Sequence, residues 1–242
     1  MKKCIMICLL LTVSQLSNGQ VIIALLFGDK LNTGKMEFGI VVTPAFSGLT
    51  NIESKLRNGL NLGIYFNFNP DKKFYLRAEG IAKGAFGAED IPPYSLGDDT
   101  LDALYANGGI ERKIKVFSLP LMARYALSKK FHLEGGIQPN LTLGVKDIFQ
   151  AKVHDNDMEY TVKVTDEYTK LDFCVLGGLF YKFRKDKRSM GIGGRYVYGL
   201  TDIYKTMPGT QANTAWQIVI TIPVGAAPKN ETENTVPKTN DP

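Results

Sequence analysis

Histidine, cysteine and tryptophan are scarce here: two, three and one respectively in 242 residues. Cys4 and Cys8 stand at the extreme N-terminus, so Cys174 is the single thiol of the remaining chain. One thiol closes no internal disulfide, which excludes a disulfide framework. Two histidines and one cysteine cannot supply a closed structural zinc site either. No Gly-rich phosphate loop is present, since the glycines lie inside strand-like segments, where they ease curvature and close packing. Also missing is any apolar run approaching the ~20 residues of a membrane-spanning helix. Mean hydropathy near zero argues equally against a helical membrane bundle. The formal charge of +5 is carried by basic residues that fall in short turns or lie scattered along the chain. Such a distribution gives no case for nucleic acid as a partner.

What is present begins at the N-terminus. Lys2 and Lys3 precede a short apolar run over residues 5–13, and Ser17 and Gly19 give a small-x-small pattern. Together these are the parts of a cleaved secretory signal peptide. The expected organisation is a signal peptide at 1–20, a periplasmic lead-in at 21–35, a barrel domain at 36–224 and a tail at 225–242. The tail is rich in Pro, Asn, Thr and Lys, a composition that favours disorder.

The strongest signal is alternation with a period of two. In residues 59–69, Leu60, Leu62, Ile64, Phe66 and Phe68 fall on one face, and Asn61, Gly63, Tyr65, Asn67 and Asn69 on the other. Successive strand side chains point to opposite faces, so this segment has one apolar and one polar side. Seven further segments repeat the pattern, at 36–47, 74–86, 115–127, 131–143, 171–183, 189–202 and 214–224. Each is long enough to cross a bilayer at a tilt. Short turns near 69–73, 128–130 and 184–188 alternate with longer links at 48–58, 87–113, 144–170 and 204–213, the asymmetry of an outer-membrane barrel. Phe66, Phe68, Phe74, Tyr125, Phe131, Tyr181 and Phe183 gather at the short-turn ends, as an interfacial girdle would. These features predict an all-β fold, an eight-stranded antiparallel transmembrane β-barrel with short periplasmic turns and longer extracellular loops.

In such a barrel the polar face is the lumen. Its charged residues are then Arg77, Lys83, Arg124, Lys182 and Arg195 against Glu37, Glu79, Glu134 and Asp172. Near-balanced charge in a narrow barrel predicts cross-lumen ion pairs that plug it. A serine–histidine pair for lipid chemistry is disfavoured, because His132 sits opposite Ala126 while Ser118 lies roughly 25 Å away along the strand. His154, Asp155 and Asp157 share a loop, but too few oxygen ligands accompany them for a hard-cation site. No cofactor and no catalytic residue is expected.

The stretch Arg195-Tyr196-Val197-Tyr198-Gly199-Leu200-Thr201-Asp202-Ile203 resembles the penultimate strand of PorT-like outer-membrane β-barrel proteins of the Bacteroidetes type. Residues 27–39 look like the start of the same family's barrel domain, and the motif Ser118-Leu119-Pro120-Leu121 is similar to its middle strand. The resemblance covers most of 24–224 and implies a cell-outer-membrane barrel, with a namesake associated with protein secretion. Unlike many such barrels, the last strand ends Ile222-Pro223-Val224 and not on an aromatic residue. The reading is therefore a non-catalytic structural or secretion-associated barrel in outer-membrane lipid, with protein partners reached through the loops at 87–113 and 144–170. A lipid-modifying barrel enzyme and a soluble lipocalin-like barrel holding an apolar ligand are the alternatives.

Overall fold

The computed structural model describes residues 35–153, 156–185, 188–205 and 209–224. The expected signal peptide, nearly all of the lead-in, the tail, and His154 with Asp155 lie outside them. Ten strands form one antiparallel sheet: β1 (Met36–Leu49), β2 (Lys55–Phe68), β3 (Phe74–Ile91), β4 (Gly109–Ser118), β5 (Leu121–Ala126), β6 (Phe131–Val153), β7 (Asn156–Lys163), β8 (Leu171–Lys182), β9 (Gly191–Gly199) and β10 (Asn213–Pro223). A short helix, α1 (Asp99–Tyr105), lies between β3 and β4. β1 pairs with both β2 and β10, which closes the ring and leaves no membrane-level edge.

Eight staves make this ring. β4 and β5 are the two halves of one stave, since both lie between β3 and β6. Pro120 interrupts it: proline has no N–H to give the ladder. β7 is not a ninth stave. It continues a hairpin on the outer half of β6, above the point where β8 pairs with the inner half.

The tight turn between β2 and β3 shows how locally the sequence acts. Asn69 adopts φ 54° and its carbonyl accepts from the Lys72 amide at 3.0 Å. Asparagine tolerates this left-handed conformation better than most residues. The corresponding turns after β5 and β8 also lie at this end, together with the start of β1 and the end of β10. By the usual asymmetry this is the periplasmic end.

The opposite end differs from the sequence expectation. Much of what the sequence assigns to loops 87–113 and 144–170 is strand. β3 runs on to Ile91, β4 starts at Gly109, and β6 continues to Val153 before returning as β7. The barrel wall thus rises on one side into a projecting sheet. α1 closes over this extension through Tyr105, whose ring meets Phe149 edge-on at 5.9 Å. Asp98 caps the helix by accepting from the Thr100 and Leu101 amides.

Candidate functional site in the barrel interior

Polarity is inverted relative to a soluble protein. Leu76, Leu121, Leu133, Leu143, Leu171, Leu179 and Trp216 are all exposed, whereas Arg77, Arg124, Arg195, Glu79 and Glu134 are essentially inaccessible. At the periplasmic rim Phe68, Phe74, Tyr125, Phe131 and Phe183 are exposed, with Phe131 and Tyr181 in ring contact at 4.9 Å. Lys73 and Lys130 lie over Tyr125 and Tyr181 at 5.1 and 5.5 Å. Amphipathic side chains collect in this way where hydrocarbon meets headgroups.

Inside, alternation on four staves aims five charged groups at one another. Arg195 on β9 is the hub. It donates from Nη1 and Nη2 to Glu79 at 3.0 Å each and from Nε to Glu134 at 2.8 Å. Arg77 donates to Glu79 at 2.6 Å, and Arg124 donates from Nε to Glu134 at 2.8 Å. The result is an alternating row Arg77–Glu79–Arg195–Glu134–Arg124. Aromatic faces complete it: Arg77 lies over Tyr65 at 3.9 Å and Arg124 over Phe180 at 4.1 Å. Gly178 makes room for the hub, because a Cβ there would stand 2.4 Å from the Gly194 carbonyl and 3.0 Å from Arg195 Cα.

The row is extended downward by neutral groups. Arg77 donates to Asn67, and both Asn67 and the Tyr65 hydroxyl donate to Glu37. Beside Arg195 lies a polar cavity of about 10 Å³ lined by Thr43, Asn61, Ser118, Gln138 and Gln217 among others. That is room for about one water molecule. Ile114, Val116, Met122, Val145, Leu176 and Val197 belong to one continuous buried apolar cluster, which the buried polar side chains Asn140 and Asp172 adjoin at Cys174.

Residues 31–205 match the family described as Outer membrane protein beta-barrel domain. The chain belongs to this family. Outer-membrane location and the inverted polarity of this barrel thus have one explanation. No curated protein matches the chain. Among solved structures, it is similar to Ail, the attachment invasion locus protein of Yersinia pestis, at 10% identity and TM-score 0.42, over 77% of this chain and 97% of Ail. Neisserial surface protein A is similar at 9% identity and TM-score 0.39, over 78% of this chain and 97% of that one. The outer membrane enzyme PagL is similar at 13% identity and TM-score 0.35, over 76% and 99% of the two chains.

The outer-membrane barrel brings together five of the nine lumen residues expected from sequence, with Glu37 joined to them through Tyr65 and Asn67. Lys182 is buried at the periplasmic end, near His132. Asp172 belongs to a separate cluster, accepting from Asn140 at 3.0 Å and Asn213 at 2.9 Å beside the Cys174 thiol. Lys83 is not in the lumen. Register shifts between Leu56 and Leu62 and between Leu62 and Gly63 mark a bulge, after which Lys83 pairs with Leu62. One extra residue reverses strand parity, so Lys83 emerges on the exterior and Gly84, Phe86 and Ala88 point inward.

Sequence reasoning missed a second ionic site in the projecting sheet. Arg112 donates to both oxygens of Asp147, and the Tyr94 hydroxyl donates to the same carboxylate at 3.1 Å. Tyr168 and Tyr204 flank the guanidinium at 5.6 and 5.4 Å. Burial and the Asp147 charge hold the Tyr94 hydroxyl well above the ordinary tyrosine range. The alternation Ile110-x-Arg112-x-Ile114-x-Val116 carried the signal, but its first part, with Arg112, lay inside the assigned loop at 87–113. Among the described residues no three His, Cys, Asp or Glu side chains form a metal-type cluster.

Proposed function

We propose that this protein is a closed, non-catalytic outer-membrane barrel that presents its projecting extracellular sheet to other proteins, in a structural, assembly or secretion-associated role of the PorT-like kind. The observation that carries the reading is the Arg77–Glu79–Arg195–Glu134–Arg124 row, which occupies the lumen from wall to wall. Eight strands leave space mainly for side chains, and buried charged groups paired this closely are costly to separate. The same ionic filling is incompatible with a lipocalin-like barrel, which needs an apolar interior cavity.

The non-catalytic part is supported by where the nucleophile and base candidates stand. Ala126 pairs with His132 and Ser118 pairs with Asn140, which separates the two side chains by roughly 25 Å along β6. His132 instead packs edge-on against Tyr75 at 5.8 Å. The test is reconstitution of the purified protein in vesicles of outer-membrane lipid. Porin-level ion conductance would overturn the closed-barrel reading. Loss or transfer of acyl chains, abolished by His132→Ala, would overturn the non-catalytic one. The expected result is neither.

A further inference from the structure

A second feature lies on the outside of the wall, independent of the lumen and of the non-catalytic reading. Along the β5–β4 stave the outward positions rise through Tyr125, Leu121, Leu119 and Phe117, then change abruptly to Lys115 and Lys113. From Leu127 to Phe117 the stave climbs about 25 Å at the usual barrel tilt, the height of an apolar belt. The lysines therefore begin where hydrocarbon ends and the headgroups of the external leaflet start.

Neighbouring strands add to them. Lys113 is the direct cross-strand partner of Lys146 on β6, and Lys146 is the direct partner of Lys163 on β7. Three lysines on three adjacent strands thus stand in one row, their backbones spanning about 10 Å. Like charges placed directly opposite are destabilising unless an anion lies between them. Among the described residues, ion pairs reach only Lys113 of the four lysines, through Glu111 at 2.9 Å, and Glu111 is shared with Arg57. Small residues leave the centre of the cluster open: Lys115 faces Ala85 on one side and Gly144 on the other.

The opening is a surface cleft of about 510 Å³, bordered by Lys113, Lys115, Lys146 and Lys163 with Thr161 and Thr165. Its floor is apolar, formed by Leu143 and Ile148. Leu143 is itself an exposed residue of the lipid-facing belt, so the cleft is continuous with the hydrocarbon surface. An occupant matched to it is anionic at the top and acyl-chained below.

We infer that the Lys113–Lys115–Lys146–Lys163 cleft is a binding site for a phosphorylated glycolipid of the outer leaflet, with the lysines on its phosphate and its acyl chains on Leu143 and Phe117. Ammonium groups bind phosphate oxygens as compact point charges, and several around one phosphate share its charge.

The full-length protein in neutral detergent, titrated with diphosphoryl lipid A and read by native mass spectrometry, tests this. Lys115→Gln and Lys163→Gln remove exposed charges, so the double variant keeps its core, and heat modifiability checks that it folds. The expected result is at least about tenfold weaker retention of the lipid in that variant, with Lys129→Gln/Lys130→Gln at the other rim binding as wild type. Should the double variant fail to fold, Lys163→Gln alone, on the outermost strand, carries the test. Unchanged binding in the cleft variants would overturn the assignment. Equal retention of dephosphorylated lipid A would do the same. Displacement by inorganic phosphate at matched concentration would show an anion site without lipid recognition, and would also overturn it.

Discussion

At the residue scale, Arg195 decides how the lumen charges are satisfied, because it alone touches both carboxylates of the row. Arg195→Met would leave Glu79 with Arg77 and Glu134 with Arg124, and a gap between the two pairs. Removing one member of a buried ion network costs about 3–5 kcal/mol, since the remaining charges lose partners they cannot replace with water. Urea unfolding of the folded barrel in lipid should show that loss, and a change below about 1 kcal/mol would mean that water fills the gap. A quieter residue-scale device sits outside the membrane. Asp102 on α1 accepts from the Ser95 hydroxyl at 2.5 Å and the Leu96 amide at 2.6 Å, and these bonds hold its carboxyl below the usual aspartate range. A depressed folded pKa means this tether is fully present above the unfolded value, near 3.9, and is lost as pH falls through the lower folded value. The Leu96 amide resonance should therefore titrate with a midpoint under the ordinary aspartate value; a midpoint at or above it would show that the loop is not held this way.

At the scale of the element, the bulge in β3 is the decisive local event. Before it, odd-numbered residues such as Arg77 and Glu79 face inward; after it, even-numbered Gly84, Phe86 and Ala88 do. Lys83 follows the new parity outward, while Cys174 on β8 stays buried at 1% exposure. Lys83→Cys in a Cys174→Ser background should react with lipid-phase thiol reagents. Native Cys174 should resist thiol labelling until the barrel is heat-unfolded. Labelling of Cys174 in the folded protein, or protection of position 83, would place the bulge elsewhere. The continuation of β3 past it depends on Gly87, whose φ of 129° and 1.9 Å approach of a virtual Cβ to the Arg112 carbonyl exclude any side chain. Gly87→Val should disrupt the projecting sheet while leaving the lower barrel paired, which deuterium exchange over β3 and β4 would resolve.

For the whole molecule, closure through β1 and β10 joins the two ends of the barrel sequence, so the sheet unfolds as one unit. A ring with every stave paired and an ionic core resists detergent until heated. Unboiled and boiled samples from an outer-membrane fraction should migrate differently on a denaturing gel. Identical migration would mean that the ring is not closed in the membrane.

Much of this was legible in the chain alone. Period-two alternation depends only on the local backbone, so residues 59–69 declared one apolar and one polar face without any tertiary contact. The number of staves, the aromatic rim at Phe74, Tyr125 and Phe131, and the inward aim of Arg77, Glu79, Arg124, Glu134 and Arg195 follow from the same rule. Register does not. A single inserted residue at the β3 bulge exchanges faces, and no composition signal near Lys83 marks it. Nor does the sequence show that Lys113, Lys146 and Lys163, far apart in the chain, stand side by side. Cross-strand pairing puts them there. The alternation belonged to the sequence, and the juxtaposition of charges, inside and out, belonged to the closed sheet, because only hydrogen-bond register determines which residue faces which.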